Sequence, residues 1–107
     1  MFKYRFTVDE SQTNNGGTLH GAYIAYLVDH TTSISIALTG LGPIHAGVSV
    51  GMNINYLRSA KVDDVVTVVT SCKKVGRTLA FLEASLSNAD GKLIATASHT
   101  KYVGEKD

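Results

Sequence analysis

The sequence predicts an α+β domain in which an antiparallel sheet wraps around one long central helix. Three observations predict it. A single stretch of helical length, residues 18–38, carries one charged side chain. A run of alternating residues precedes it, and four more strand-like runs follow, two of the links between them being short turn signals.

Residues 2–8, FKYRFTV, alternate with the period of a half-exposed strand. The polar, glycine-rich SQTNNGG that follows is a turn. The helix comes next, about 30 Å long for some 20 residues, and Gly40, Gly42 and Pro43 end it. Residues 48–57 (VSVGMNINYL) alternate again, with Gly51 marking a weak point or bulge. The runs 62–74, 77–88 and 92–103 are joined at Val75–Gly76 and at Ala89–Asp90–Gly91, both hairpin signals. A sheet must bury one face and an apolar helix its whole surface, so the economical packing curls the sheet around the helix. There are no repeats, linkers or low-complexity tracts, and residues 1–107 read as one domain.

With 44% hydrophobic residues the chain can build a core. Ten cations against nine acids, in no long basic block, argue against nucleic acid or an anionic membrane as the main partner. The single cysteine, Cys72, excludes an internal disulfide, fits a reducing intracellular compartment and reads as a half-buried strand residue. No metal-ligand spacing surrounds it. The charged start MFKYRFTVDE is no signal peptide. The helix is a poor membrane span, because an Asp at its centre costs roughly 2.5–3.5 kcal/mol on insertion.

That acid is Asp29, the one charged residue between Ser11 and Leu57. A helix apolar on nearly every face is expected to be buried, and a buried carboxylate is costly unless paired. In a poorly solvated site its pKa should rise, making it a more effective base near neutrality.

Three blocks in order, TNNGGTLHGAYIAYLVDH, GVSVGMNINYLRSAK and GRTLAFLEASLSNADGKLIATASHTKYV, resemble the hotdog-fold acyl-CoA thioesterases of the PaaI-like branch. The resemblance spans almost the whole chain. It implies hydrolysis of an acyl-CoA thioester by an activated water, with coenzyme A entering as part of the substrate and neither a metal nor another cofactor required. It also implies that Asn14 and the Gly21 backbone N–H hold the thioester carbonyl beside His20, while Asp29 and Ser49 handle the water. It further places the nucleotide against Tyr56, Leu57, Arg58, Ser59, Ala60 and Lys61, against Lys74, Val75, Gly76, Arg77, Thr78 and Leu79, against Tyr102, and beside Ser49. A cytoplasmic or mitochondrial homodimer, or a dimer of dimers, is the implied assembly. Relatives of this kind carry a helix before the first strand and an acid where Gly51 stands; this sequence has neither.

The residues agree with these roles. Gly21 falls in the first helical turn, where N–H groups lack intrahelical partners and the dipole end is positive. Plain structural roles also stay open: Asn14 as a turn former, His20 as a helix cap, Ser49 as an ordinary strand serine, and Asp29 as the partner of His30 or of another chain. The cations could simply be solvated. Gly21 and Asp29 lie ~12 Å apart along one helix, too far to act on one thioester, so the spacing predicts a site shared across a two-fold axis. A non-catalytic acyl-CoA-binding protein and a hydratase or dehydratase of the same fold are the rival readings.

Overall fold

The computed structural model describes residues 1–39 and 48–104. Strand β1 (Phe2–Thr7) leads through a short 3-10 turn (Glu10–Gln12) into helix α1 (Gly21–Thr39). Strands β2 (Val48–Tyr56), β3 (Val65–Val75), β4 (Leu79–Ser87) and β5 (Leu93–Tyr102) follow. They form one antiparallel sheet in the order β1-β3-β4-β5-β2, with α1 packed on one face. No described helix is long and apolar enough to cross a membrane. The expected helix stop at Gly40, Gly42 and Pro43 lies outside the described residues.

The strands stand close to where alternation puts them. Helix α1 starts three residues later than expected, because Thr18 and Leu19 are extended and bridge Lys61 and Thr13. Strand β3 likewise starts late, after a turn in which Asp63 takes φ 74°. Gly51 does mark a bulge: the β2–β5 register shifts between Ser49 and Gly51. Both hairpins form at the predicted turns, with the Gly76 N–H donating to the Leu79 carbonyl and the Gly91 N–H to that of Asn88.

Strand alternation delivers Val66 and Val68 of β3, Leu82 and Leu86 of β4, and Ala95 and Ala97 of β5 to the helix side of the sheet, where all are buried. Ile24, Leu27, Val28 and Ile36 of α1 meet them. The parity that buries Ala95 and Ala97 also carries His99 and Lys101 inward, and both are buried.

The helix is not buried all round. Ala22, Tyr26, Asp29 and His30 are exposed and recur at the spacing of one helical face. A five-stranded sheet covers one side of a helix, and nothing among the described residues covers the other. Strand β2 pairs only with β5, so its outer edge has no strand neighbour among the described residues. Val48 and Val50 on it are exposed.

Candidate active site

Two of the recesses beside α1 hold the residues singled out from the sequence, one at its start and one at its middle. At the start, His20 is the residue that opens the helix. Its carbonyl accepts the Tyr23 and Ile24 N–H groups at 3.0 and 3.1 Å, and its ring Nδ1 accepts the Ala22 N–H at 3.0 Å. His20 is thus a helix cap, the structural role the sequence left open for it. Those bonds satisfy every first-turn donor except one. The Gly21 N–H has no partner among the described residues, and it sits at the positive end of the helix dipole. The fold does not demand glycine there: a Cβ would meet the Tyr56 ring at 3.5 Å, ordinary contact. The missing side chain therefore leaves the N–H open to a close approach.

Asn14 lies on the turn that leads to this helix. Its Oδ1 accepts from the Gly16 N–H at 2.9 Å and from the Thr18 N–H and hydroxyl at 3.3 and 3.2 Å. It is a turn former, as the plain reading had it. Pinning the oxygen leaves the Nδ2 protons without a partner among the described residues, so the same turn can present a donor. Tyr56, whose hydroxyl donates to the Gly21 carbonyl at 3.1 Å, lines this recess of about 370 Å³ with Leu57, Arg58, Ser59 and Ala60.

The second recess, about 440 Å³, is lined by Tyr26, Asp29, His30, Ser33, Val48, Ser49 and Lys101. Here the desolvation expected for Asp29 is not met in the single chain, since its side chain is 54% exposed. It faces outward on the open side of α1. Its ionic partner is Lys101, with Nζ 3.7 Å from Oδ1. His30 instead stacks on Tyr26, ring centroids 5.7 Å apart.

Ser49 and Asp29 do come together, and behind Ser49 stands His99. Ser49 Oγ lies 2.8 Å from His99 Nε2, and Thr32 Oγ1 lies 2.8 Å from His99 Nδ1. The direction of these bonds follows from hydrogen counting. The Thr32 hydroxyl has one proton, donated to the Val28 carbonyl at 2.7 Å, so toward His99 it accepts. His99 Nδ1 then carries the proton, and a neutral imidazole offers Nε2 as an acceptor. Burial pushes the His99 pKa below its usual value, Lys101 adds to this, and Asp29 opposes it. Ser49 therefore donates to His99 and keeps its lone pairs for a proton from outside. The β2 bulge at Ser49 supplies the local redirection such a side chain needs.

The proposed nucleotide contacts divide between two places. Arg58 sits in the Gly21 recess. Arg77, Thr78 and Tyr102 line a separate recess of about 380 Å³ with Gly104. Lys61 and Lys74 are exposed. Val75, Gly76 and Leu79 bound the β3–β4 turn. Burial pushes the Cys72 thiol up, which disfavours the thiolate a nucleophile needs. No metal-holding cluster occurs among the described residues.

Sequence reading missed His99, Lys101, Thr32 and Ser33. A signal for the first two existed: in the alternating run ATASHTKY, His99 and Lys101 share parity with Ala95 and Ala97. No residue lines both the Gly21 recess and the Asp29 recess.

The thioesterase superfamily matches residues 16–95. Human acyl-coenzyme A thioesterase 13 is 44% identical over 98 residues, 91% of this chain and 69% of that protein. The crystal structure of zebrafish thioesterase superfamily member 2 superposes with TM-score 0.88 at 41% identity, covering 95% of this chain and 73% of that one. A hypothetical thioesterase protein from Streptococcus pneumoniae, solved with coenzyme A, gives TM-score 0.87 at 30% identity, covering 98% of this chain and 80% of that one. The sheet order, the single packed helix and these likenesses give one answer: the chain has the hotdog fold and belongs to the thioesterase superfamily.

Proposed function

We propose that this chain hydrolyses acyl-CoA thioesters, at sites that two copies of it share. The observation that carries the reading is the pairing of chemistries on α1. A Gly21 N–H with no partner among the described residues marks one end, and a carboxylate beside a directed Ser49–His99 pair marks the middle. One can stabilise an oxyanion, and the other can manage a water. At ~12 Å along the axis they cannot meet on one thioester within one chain. Two antiparallel helices across a C2 axis bring Gly21 of one copy toward Asp29 of the other. The open helix face and the outer edge of β2 offer surfaces for that pairing, because an exposed strand edge is a template for another strand.

In this arrangement the thioester carbonyl accepts from the Gly21 N–H and Asn14 Nδ2. The water donates one proton to Asp29 and is oriented by a second bond to the Ser49 oxygen. Attack gives a tetrahedral oxyanion, which the two donors stabilise; losing one such donor in other enzymes costs ~2.7–4 kcal/mol. Collapse expels the CoA thiolate and leaves the free acid. Arg58, Lys61, Lys74 and Arg77 supply cations for the nucleotide phosphates.

The test is release of free thiol from a panel of acyl-CoAs, followed with a thiol reagent, for the wild type and for Asp29→Asn. The substitution keeps shape and removes basicity, so kcat should fall by about 10²-fold or more. Binding without thiol release would make the chain an acyl-CoA-binding protein. Wild-type turnover by a folded Asp29→Asn protein would remove Asp29 from the mechanism.

A further inference from the structure

We infer that Lys101 is a positioning residue of the hydrolytic site, its buried ammonium holding Asp29 and the helix turn that carries it. The inference rests on the reading above, in which Asp29 handles the water.

Lys101 is 3% exposed, and every other lysine and arginine among the described residues is exposed. Burying an ammonium is expensive unless it is paired. Uncharged side chains of similar volume commonly replace buried ion pairs with no loss of stability. Packing alone therefore accounts for the aliphatic stem of Lys101 and leaves its charge unexplained.

Among the described residues the charge has two contacts, and both lead to Asp29. Nζ lies 3.7 Å from Asp29 Oδ1. It also donates to Ser33 Oγ at 2.5 Å, and the Ser33 hydroxyl donates in turn to the backbone carbonyl of Asp29 at 2.7 Å. One route holds the carboxylate by charge. The other ties the turn beneath it to β5, so the acid on the open face of α1 is anchored to the sheet. With its length covered and its tip against Ser33 and Asp29, Lys101 acts through Asp29 rather than on substrate. His99, two residues earlier on the same strand, holds Ser49. Strand β5 thus supports both groups that face the water.

The experiment compares wild type, Lys101→Met, Lys101→Arg, Ser33→Ala, Asp29→Asn and the Asp29→Asn/Lys101→Met double variant. Steady-state kinetics use an acyl-CoA that the wild type turns over, with thermal unfolding measured alongside. Lys101→Met should lower kcat about tenfold or more, part of the 10²–10⁴ typical of general-base assistance, with KM within about twofold. Lys101→Arg should recover most of the lost kcat. In the Asp29→Asn background Lys101→Met should cost nothing further, because both routes act through a carboxylate that is already gone. A wild-type kcat in Lys101→Met, a loss confined to KM, or an equal loss in both backgrounds would overturn the inference. Should Lys101→Met fail to fold, Ser33→Ala decides: it severs the second route and should lower kcat with KM unchanged, and an unaltered kcat refutes the role. Absence of thiol release by the wild type would sink the hydrolytic reading itself, whereas full activity in Asp29→Asn would remove Asp29 from the mechanism and the Lys101 role with it; each is seen before any Lys101 variant is compared.

Discussion

Acid should destabilise this protein through His99, and the effect can be isolated by replacing that one residue. His99 is 1% exposed, and its pKa is lowered from 6.5 chiefly by burial. Well above pH 6.5 the ring is neutral in both folded and unfolded chains and contributes no pH dependence. As pH falls below 6.5 the unfolded chain takes up a proton that the folded one resists, so stability drops until the folded pKa is reached. The limiting slope is ~1.4 kcal/mol per pH unit, which sets a ceiling of ~2 kcal/mol between pH 8 and pH 5. His99→Gln keeps a polar, neutral side chain there and removes the titration. Urea unfolding of both proteins at matched protomer concentration, from pH 8 to pH 5, gives the comparison; every other titrating group is present in both. The wild type should lose more stability toward acid than His99→Gln, by up to that ceiling. Parallel curves would mean that His99 is not held neutral, and the proton placement argued for Ser49 and Thr32 would fall with it.

Site sharing predicts complementation. Asn14→Ala and Asp29→Asn, each inactive alone, should regain roughly a quarter of wild-type activity when refolded together, because half of randomly paired C2 dimers are mixed and each has one intact site; proven heterodimers that stay inactive would refute sharing. If Arg58, Lys61, Lys74 and Arg77 hold nucleotide phosphates, added salt should raise KM for a CoA ester more than for a short thioester lacking the nucleotide. Equal salt sensitivity would place the nucleotide elsewhere.

Most of the fold was legible because it rests on local periodicity. Alternation in β1 to β5, the stretch of α1 with its one charge, the β2 bulge at Gly51 and two hairpin turns are properties of neighbouring residues. The isolation of Asp29 was legible too, since it needs only a count of charges, and so was the free N–H of a glycine in a first helical turn. What surrounds Asp29 was not. Helix composition suggested burial on every face, yet a five-stranded sheet covers only one, so Asp29 emerges half-exposed on the other. The partners of α1 lie some seventy residues away on β5. Only strand order and register bring His99 to Thr32 and Ser49, and Lys101 to Ser33 and Asp29. Periodicity says which face of a strand a side chain takes. It does not say which helix residue waits there, because that depends on where two separately formed elements cross, and their packing decides it.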